Sequence, residues 1–217
     1  MMTWYNTNMK KEEILKALNW RYAVKIFDKD KKISEEDLNT ILEAGILSPS
    51  SLGLEPWKFI IVKDPKTRAK LFEVSKQPKV TDSSYLIVLT YKTDIKEIIN
   101  ERLERTARIQ NQKVEELDTY KTFLENGTKN KTEQELDSWL KAQSYIPLGI
   151  MTQTASLLDI DNCPMEGFQN DKVDEILNLK SQNLKSVTML ALGYRGIDPQ
   201  SEKPKIRKDL TSAVEFI

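Results

Sequence analysis

The sequence predicts a fold that mixes helices with strands, on three observations. Stretches with apolar residues at helical spacing, such as MKKEEILKALNW and ISEEDLNTILEAGIL, alternate with short runs of β-branched and aromatic residues, WKFIIVKD and SYLIVLTYK. No repeat, low-complexity tract or Pro/Gly-rich linker interrupts the 217 residues, so a single domain over 1–217 is expected. A hydrophobic fraction of 39% at that length is enough for one substantial core.

MKKEEILKALNW, with Ile14, Leu15, Leu18 and Trp20 in helical register, leads straight into RYAVKIFD. That segment, residues 21–28, reads as a half-buried extended stretch in which odd positions carry Arg21 and Lys25 on one face. Two like charges on one face call for an anion. ISEEDLNTILEAGILSPSS is a helix with Ser34 as N-cap, acids in its first turn and Pro49 beyond its end. WKFIIVKD and SYLIVLTYK are strands, joined by the short helix DPKTRAKLFEVSK with Asp64 near its start.

From Asp94 to Lys131 acids and bases alternate at helical spacing, the pattern of an exposed helix. A long helix, TEQELDSWLKAQSYIPLGIMTQTASLLDI, should follow, buried along its apolar second half and kinked or broken at Pro147, which lacks the donor for the Gln143 carbonyl. CPMEGF, residues 163–168, reads as a turn in which Gly167 permits close approach of the backbone. DEILNL is a short helix, SVTMLALGYR a buried strand, and residues 197–217 an irregular, extended, polar tail.

Composition removes many functions. Lys plus Arg and Asp plus Glu are both 33, so no general attraction to nucleic acid or anionic membrane is expected, and any cationic site must be local. The N-terminal stretch has no signal-peptide core, and no segment holds the roughly 20 apolar residues of a membrane span. The expected location is the cytoplasm, in keeping with a single cysteine, Cys163, read as a small buried residue. The absence of histidine rules out Ser-His-Asp triads, Cys-His pairs and HExxH metal sites, and no metal-ligating residue is nominated. The seven glycines form neither G-x-G-x-x-G nor a P-loop. What survives is chemistry by carboxylates with or without Mg²⁺, by Lys or Tyr, or by an organic cofactor with its own reactivity.

KPKIRKD, residues 203–209, repeats the opening pattern of paired cations in Lys205 and Arg207, and Arg forks with Lys point charges suit a phosphate monoester. Taken together and in order, RYAVKIFD, ISEEDLNTILEAGILSPSSLGLEPWKF, CPMEGF, LALGYR and KPKIRKDL resemble the FMN-dependent nitroreductase family of NAD(P)H oxidoreductases, over nearly the whole chain.

The resemblance implies an α+β fold: a central, mainly antiparallel sheet flanked by helices, with a C-terminal extension, here 197–217, exchanged across a homodimer. It implies that Arg21, Lys205 and Arg207 hold the FMN phosphate, that Tyr22 and Ala23 touch it, and that Lys25 reaches the pyrimidine end of the flavin. Pro164, Met165, Glu166 and Gly167 would pass near flavin N5. Pro49, Ser50 and Ser51 would cross to the flavin of the other subunit, although Gly53, Leu54 and Glu55 depart from the commoner Asn-x-Gln before Pro56 and Trp57. Gln77 and Lys79 would lie at the pyrimidine edge, where Lys76 replaces the usual Asn. Residues 94–131 match the region that lids the pocket, with Phe123 a substrate contact, and the apolar helix from Tyr145 to Leu158 would form the dimer core.

The implied activity is reduction of nitroaromatic or quinone acceptors by NAD(P)H in a ping-pong cycle through flavin N5, with no side chain as catalytic acid or base, so the missing histidines are no obstacle. Two alternatives stay open at this level. A non-catalytic FMN carrier or sensor would share every flavin contact and would differ only in turnover of NAD(P)H. A flavin-free helical interaction protein would explain the charged middle but leave the four cations without a common purpose.

Overall fold

A computed structural model describes residues 11–217, so Met9 and Lys10 of the expected first helix, and the rest of the N-terminal stretch read above, lie outside the described residues. Four strands form one antiparallel sheet in the order β1-β2-β4-β3: β1 (Trp57–Ile61), β2 (Tyr85–Lys92), β3 (Asp161–Met165) and β4 (Leu184–Gly193). With α1 (Lys11–Trp20), α2 (Glu35–Ile46), α3 (Pro65–Ser75), α4 (Lys79–Asp82) and α5 (Ile95–Gln110) before and after these strands, the architecture is α+β.

The two central strands read as unbroken apolar runs because both their faces are covered. Leu86 and Val88 of β2 and Met189 and Ala191 of β4 point to one side, into a cluster with Leu71 of α3 and Val173 of α9 (Asn170–Ile176). Ile87, Leu89, Leu190 and Leu192 point to the other, against Leu38 and Ile41 of α2 and Met151 and Ala155 of α8 (Tyr145–Leu157). The caps are those the sequence predicts: Ser34 accepts from the Asp37 amide, and Asp64 accepts from the Thr67 amide with Pro65 at the first helical position.

Four expectations need correction. Residues 21–28 are not a regular strand: only two isolated bridges form, Ala23 with Asn162 and Phe27 with Arg195. Val24 and Phe27 are buried, three residues apart, so Arg21 and Lys25 do not share a face by strand alternation. Second, residues 163–165 of CPMEGF belong to edge strand β3, with Pro164 opposite Leu190; an edge tolerates a residue without a donor, and the turn begins only at Glu166.

Third, the long helix is two, α7 (Glu133–Gln143) and α8, parted at Ser144 rather than at Pro147. Pro147 falls in the first turn of α8, where a missing amide costs nothing. Fourth, the charged stretch after Asp94 is not one exposed helix. α5 and α6 (Asp118–Thr128) flank a 3₁₀ turn at Val114–Leu117, and Ile98, Ile99, Leu103, Ala107, Leu117 and Leu124 are buried in a third cluster with Tyr91, Leu140 and Val187. The tail from Ile197 is mostly exposed, Asp198 excepted, and largely irregular, with a 3₁₀ turn at Pro199–Glu202 and a four-residue helix, α10 (Leu210–Ala213). No helix among the described residues is long and apolar enough to cross a membrane.

Candidate functional site

Arg21 follows directly on α1, its amide donating to the Ala17 carbonyl oxygen at 3.0 Å. Lys205, from the opposite end of the chain, caps the same helix end: its Nζ donates to the carbonyl oxygens of Leu18, at 2.6 Å, and of Arg21. Arg207 lies two residues further along the tail, its guanidinium bonded to its own neighbour's carbonyl, that of Ile206. These residues, with Tyr22, Ala23, Lys25 and Lys203, line one cleft of about 310 Å³ that contains no acidic residue among its described lining residues.

The electrostatics of this cluster are uncompensated. Burial and the nearby Arg207 charge lower the Arg21 pKa, and burial with the Arg21 and Arg207 charges lowers that of Lys205. Arg21 Nε is buried without a hydrogen-bond partner among the described residues. Like charges held together with an orphaned buried donor constitute a site for an anion with several acceptor oxygens.

Residues that the sequence did not single out hold the opening segment in place. The Asp198 carboxylate, 6% exposed, accepts from the Lys25 amide at 2.7 Å, the Tyr22 hydroxyl at 2.9 Å and the Gln200 amide at 3.0 Å. Burial works to raise its pKa, but these donors outweigh it and the net shift is downward. Arg195 donates through its amide and Nε to Asp161, both at 2.8 Å, while its guanidinium lies 4.3 Å from the Trp20 ring centroid and 4.8 Å from that of Tyr22. The Asn162 carbonyl oxygen receives the Val24 amide at 3.4 Å. No local sequence signal exposes the partners of the opening segment, because the contacts that Trp20, Tyr22, Val24 and Lys25 make with Asn162, Arg195 and Asp198 all cross most of the chain, Val24 to Asn162 being the shortest of them.

β3 carries the second set. Cys163, buried as expected, is pushed up in pKa by burial, while the charges of Lys79, Lys25 and Arg21 pull the other way, which puts Lys79 in the same neighbourhood as the cation cluster. Pro164 and Met165 end the strand, and Glu166 and Gly167 form the exposed turn beyond it. Gln77 Nε2 donates to the Gly167 carbonyl oxygen at 3.0 Å, joining the turn before α4 to this one. Tyr145, at the start of α8, donates its hydroxyl to Glu166. Lys76, in the left-handed region at φ 52°, turns instead to Glu73 at 2.5 Å, away from these groups in its bonding.

The other expected residues are not brought to the cluster within one chain. Pro49, Ser50 and Ser51 lie between α2 and β1, the strand at the opposite edge of the sheet from β3. Ser50 Oγ accepts from the Glu55 amide at 2.8 Å, and the Ser51 amide donates to Gln143 at 2.9 Å. The departing residue Glu55 is used locally, its carboxylate 3.4 Å from Arg102 and 3.2 Å from Arg105, so it ties this loop to α5. Phe123 is exposed on α6 and stacks on Tyr120 at 6.4 Å between centroids, outside the lining of the cationic cleft.

An antiparallel four-stranded sheet covered by helices on both faces, with a cationic cleft formed by residues 21–25 and 200–207, is the frame that positions these side chains. The sequence pattern of the Nitroreductase family matches residues 18–194. A Staphylococcus haemolyticus protein named "Putative NAD(P)H nitroreductase SH0546" is 38% identical over 216 residues, covering 95% of this chain and 98% of its own. Among solved structures, Bacillus subtilis ydfN superposes with a TM-score of 0.84 at 24% identity, covering 96% of this chain and 100% of its own. An Exiguobacterium sibiricum protein solved in complex with FMN gives 0.80 at 23%, with 98% and 99% coverage. The chain belongs to the nitroreductase family, and its fold is the nitroreductase-like α+β fold.

Proposed function

We propose that this protein is an FMN-dependent NAD(P)H oxidoreductase that reduces nitroaromatic or quinone-type acceptors in a ping-pong cycle. The observation that carries the reading is the gathering of Arg21, Lys205 and Arg207 around one cleft with no carboxylate among its described lining residues. The fit to FMN is chemical: a phosphate monoester supplies the charge and acceptor oxygens that these cations and the orphaned Arg21 Nε lack. FMN, when bound, would accept hydride from the nicotinamide and pass electrons to the acceptor.

The chain's own residues would then bind and orient. Arg21, Lys205 and Arg207 hold the phosphate, and Tyr22 and Ala23 line its seat. Lys25, exposed at the cleft, offsets negative charge at the pyrimidine end together with Lys79, while Gln77 holds the 166–167 turn. Pro164, Met165, Glu166 and Gly167 present backbone to the ring. Because Pro49, Ser50 and Ser51 sit toward the opposite sheet edge, their contribution comes from a second copy in a homodimer, with α8 at its core and residues 197–217 wrapped over the partner. Residues 94–131 would close over the acceptor, with Phe123 against it. The whole of 1–217 acts as one unit, in the cytoplasm.

The test is purification with flavin analysis, followed by NADH and NADPH oxidation with a nitroaromatic and a quinone. The expected result is one FMN per chain, a dimer in solution and acceptor-dependent oxidation. A protein that stays colourless in saturating FMN overturns the reading, and one that binds FMN without oxidising either nicotinamide is a carrier.

A further inference from the structure

We propose that Asp198 is the positioning residue that assembles the cation cluster, an inference that rests on the FMN reading above. Three cations from the two ends of the chain, Arg21, Lys205 and Arg207, repel one another, and the lowered pKa values of Arg21 and Lys205 record that repulsion beside the larger effect of burial. The Lys205 ammonium ties the tail to the Leu18 and Arg21 carbonyl oxygens at one point; a second tie that neutralises none of the cations is needed to fix the 22–25 segment against the root of the tail.

Asp198 has the required bonding. Its Oδ2 takes the Tyr22 hydroxyl and the Lys25 amide, which fix the 21–25 segment, and its Oδ1 takes the Gln200 amide at the root of the tail that carries Lys205 and Arg207. Every one of these donors is neutral. The carboxylate is thus satisfied by backbone and phenol, and among the described residues its bonds form no ion pair with Arg21, Lys25, Lys205 or Arg207. Arg195 holds the Tyr22 ring from the other side, stacked at 4.8 Å and anchored on Asp161, so the hydroxyl is aimed at Asp198. An anion in this place ties the segments by hydrogen bonds to neutral donors and leaves the positive charge of the cations for a phosphate.

Asp198→Asn keeps the shape but replaces one acceptor oxygen by an amide nitrogen that cannot accept from Tyr22 and Lys25. The experiment titrates the flavin-free full-length chain with FMN and with riboflavin, which lacks the phosphate, for wild type, Asp198→Asn and Tyr22→Phe. The expected result is a loss of about tenfold in FMN affinity for Asp198→Asn and about threefold for Tyr22→Phe, with riboflavin affinity changed far less. An unchanged ratio of FMN to riboflavin affinity in Asp198→Asn, whether both fall together or neither falls, overturns the proposal. If that variant does not fold, the ratio in Tyr22→Phe decides by the same criterion. A wild-type chain that binds FMN no better than riboflavin overturns the phosphate-clamp reading itself, and this inference with it.

Discussion

Gln77 Nε2 donates to the carbonyl oxygen of Gly167 at 3.0 Å, across 90 residues of sequence, and so couples the turn after α3 to the turn after β3. A Cβ added at Gly167 would meet only the end of the Gln77 side chain, at 3.2 Å, and the backbone there is not in the left-handed region. The fold itself therefore has little need of glycine at this position. Gly167→Ala should cost under about 1 kcal/mol in urea unfolding, because a flexible amide can give way. If the glycine serves close approach of the flavin ring, the same variant loses FMN affinity while its unfolding midpoint stays put. A large drop in the midpoint would show that the glycine is structural after all.

Arg68 is a buried cation with a different task. Its Nε donates to the Val62 carbonyl oxygen at 2.8 Å, and its terminal nitrogens to those of Ser83 at 2.7 Å and Ser84 at 3.2 Å, joining α3 to the ends of β1 and β2. Burial lowers its pKa, yet the fork satisfies three carbonyls at once. Arg68→Ala strands those acceptors and should cost about 3 kcal/mol or more of unfolding free energy. Arg68→Lys should recover only part of it, since an ammonium cannot reproduce the planar fork. Equal stability of the Lys variant and wild type in urea unfolding would refute the geometric account.

Gly193 and Gly45 make a contrasting pair. A Cβ on Gly193 would lie 2.6 Å from Phe27 Cδ1 and 3.3 Å from the Ser84 amide nitrogen, where a buried ring and a backbone atom block retreat. A Cβ on Gly45 would lie 2.9 Å from Met151 Cγ and Sδ, atoms of an unbranched and adaptable side chain, and 3.2 Å from Phe59 Cε2, with no backbone atom among these nearest neighbours. Gly193→Ala should therefore destabilise by roughly 1–3 kcal/mol. Gly45→Ala should fall below it, offset in part by the gain of helix propensity inside α2. Thermal midpoints of the two variants in one buffer settle the order.

Most of the fold could be read from the sequence because local chemistry carried it. Ser34 and Asp64 announce their helices, and the runs around Ile60, Val88 and Leu190 announce strands whose both faces are covered or whose edge is short. What escaped was set by distant partners. CPMEGF looks like a turn by composition, and its first three residues join β3 only because β4 supplies the pairing. The 21–28 segment looks alternating, but the Lys25 amide goes to the side chain of Asp198 rather than to a strand. In the charged excursion, surface acids and bases hid the apolar face that Ile98, Leu103 and Leu124 bury. At the site, the paired cations were legible as motifs, whereas Asp198, followed by Pro199, reads locally as an ordinary turn residue.

Tyr145 and Glu166 give the last prediction. The phenol donates to the carboxylate, and burial first, then that hydrogen bond and the Glu166 charge, push its pKa from 10.0 up to about 12. A tyrosine whose folded pKa exceeds its unfolded value stabilises the fold fully below the unfolded value and loses that contribution as pH rises through the folded one. The window thus runs from pH 10 to about 12. Loss of the phenol proton there places two negative charges side by side and frees the turn that carries Glu166 and Gly167. Absorbance titration of the phenolate, with Tyr145→Phe to identify the band, should show this tyrosine ionising near the top of that window in wild type. Glu166→Gln removes the charge and retains an acceptor, so ionisation should move back toward pH 10 while remaining above it, because burial persists. An ionisation unchanged in Glu166→Gln would mean that burial alone sets the shift and that the carboxylate does not engage the phenol in solution.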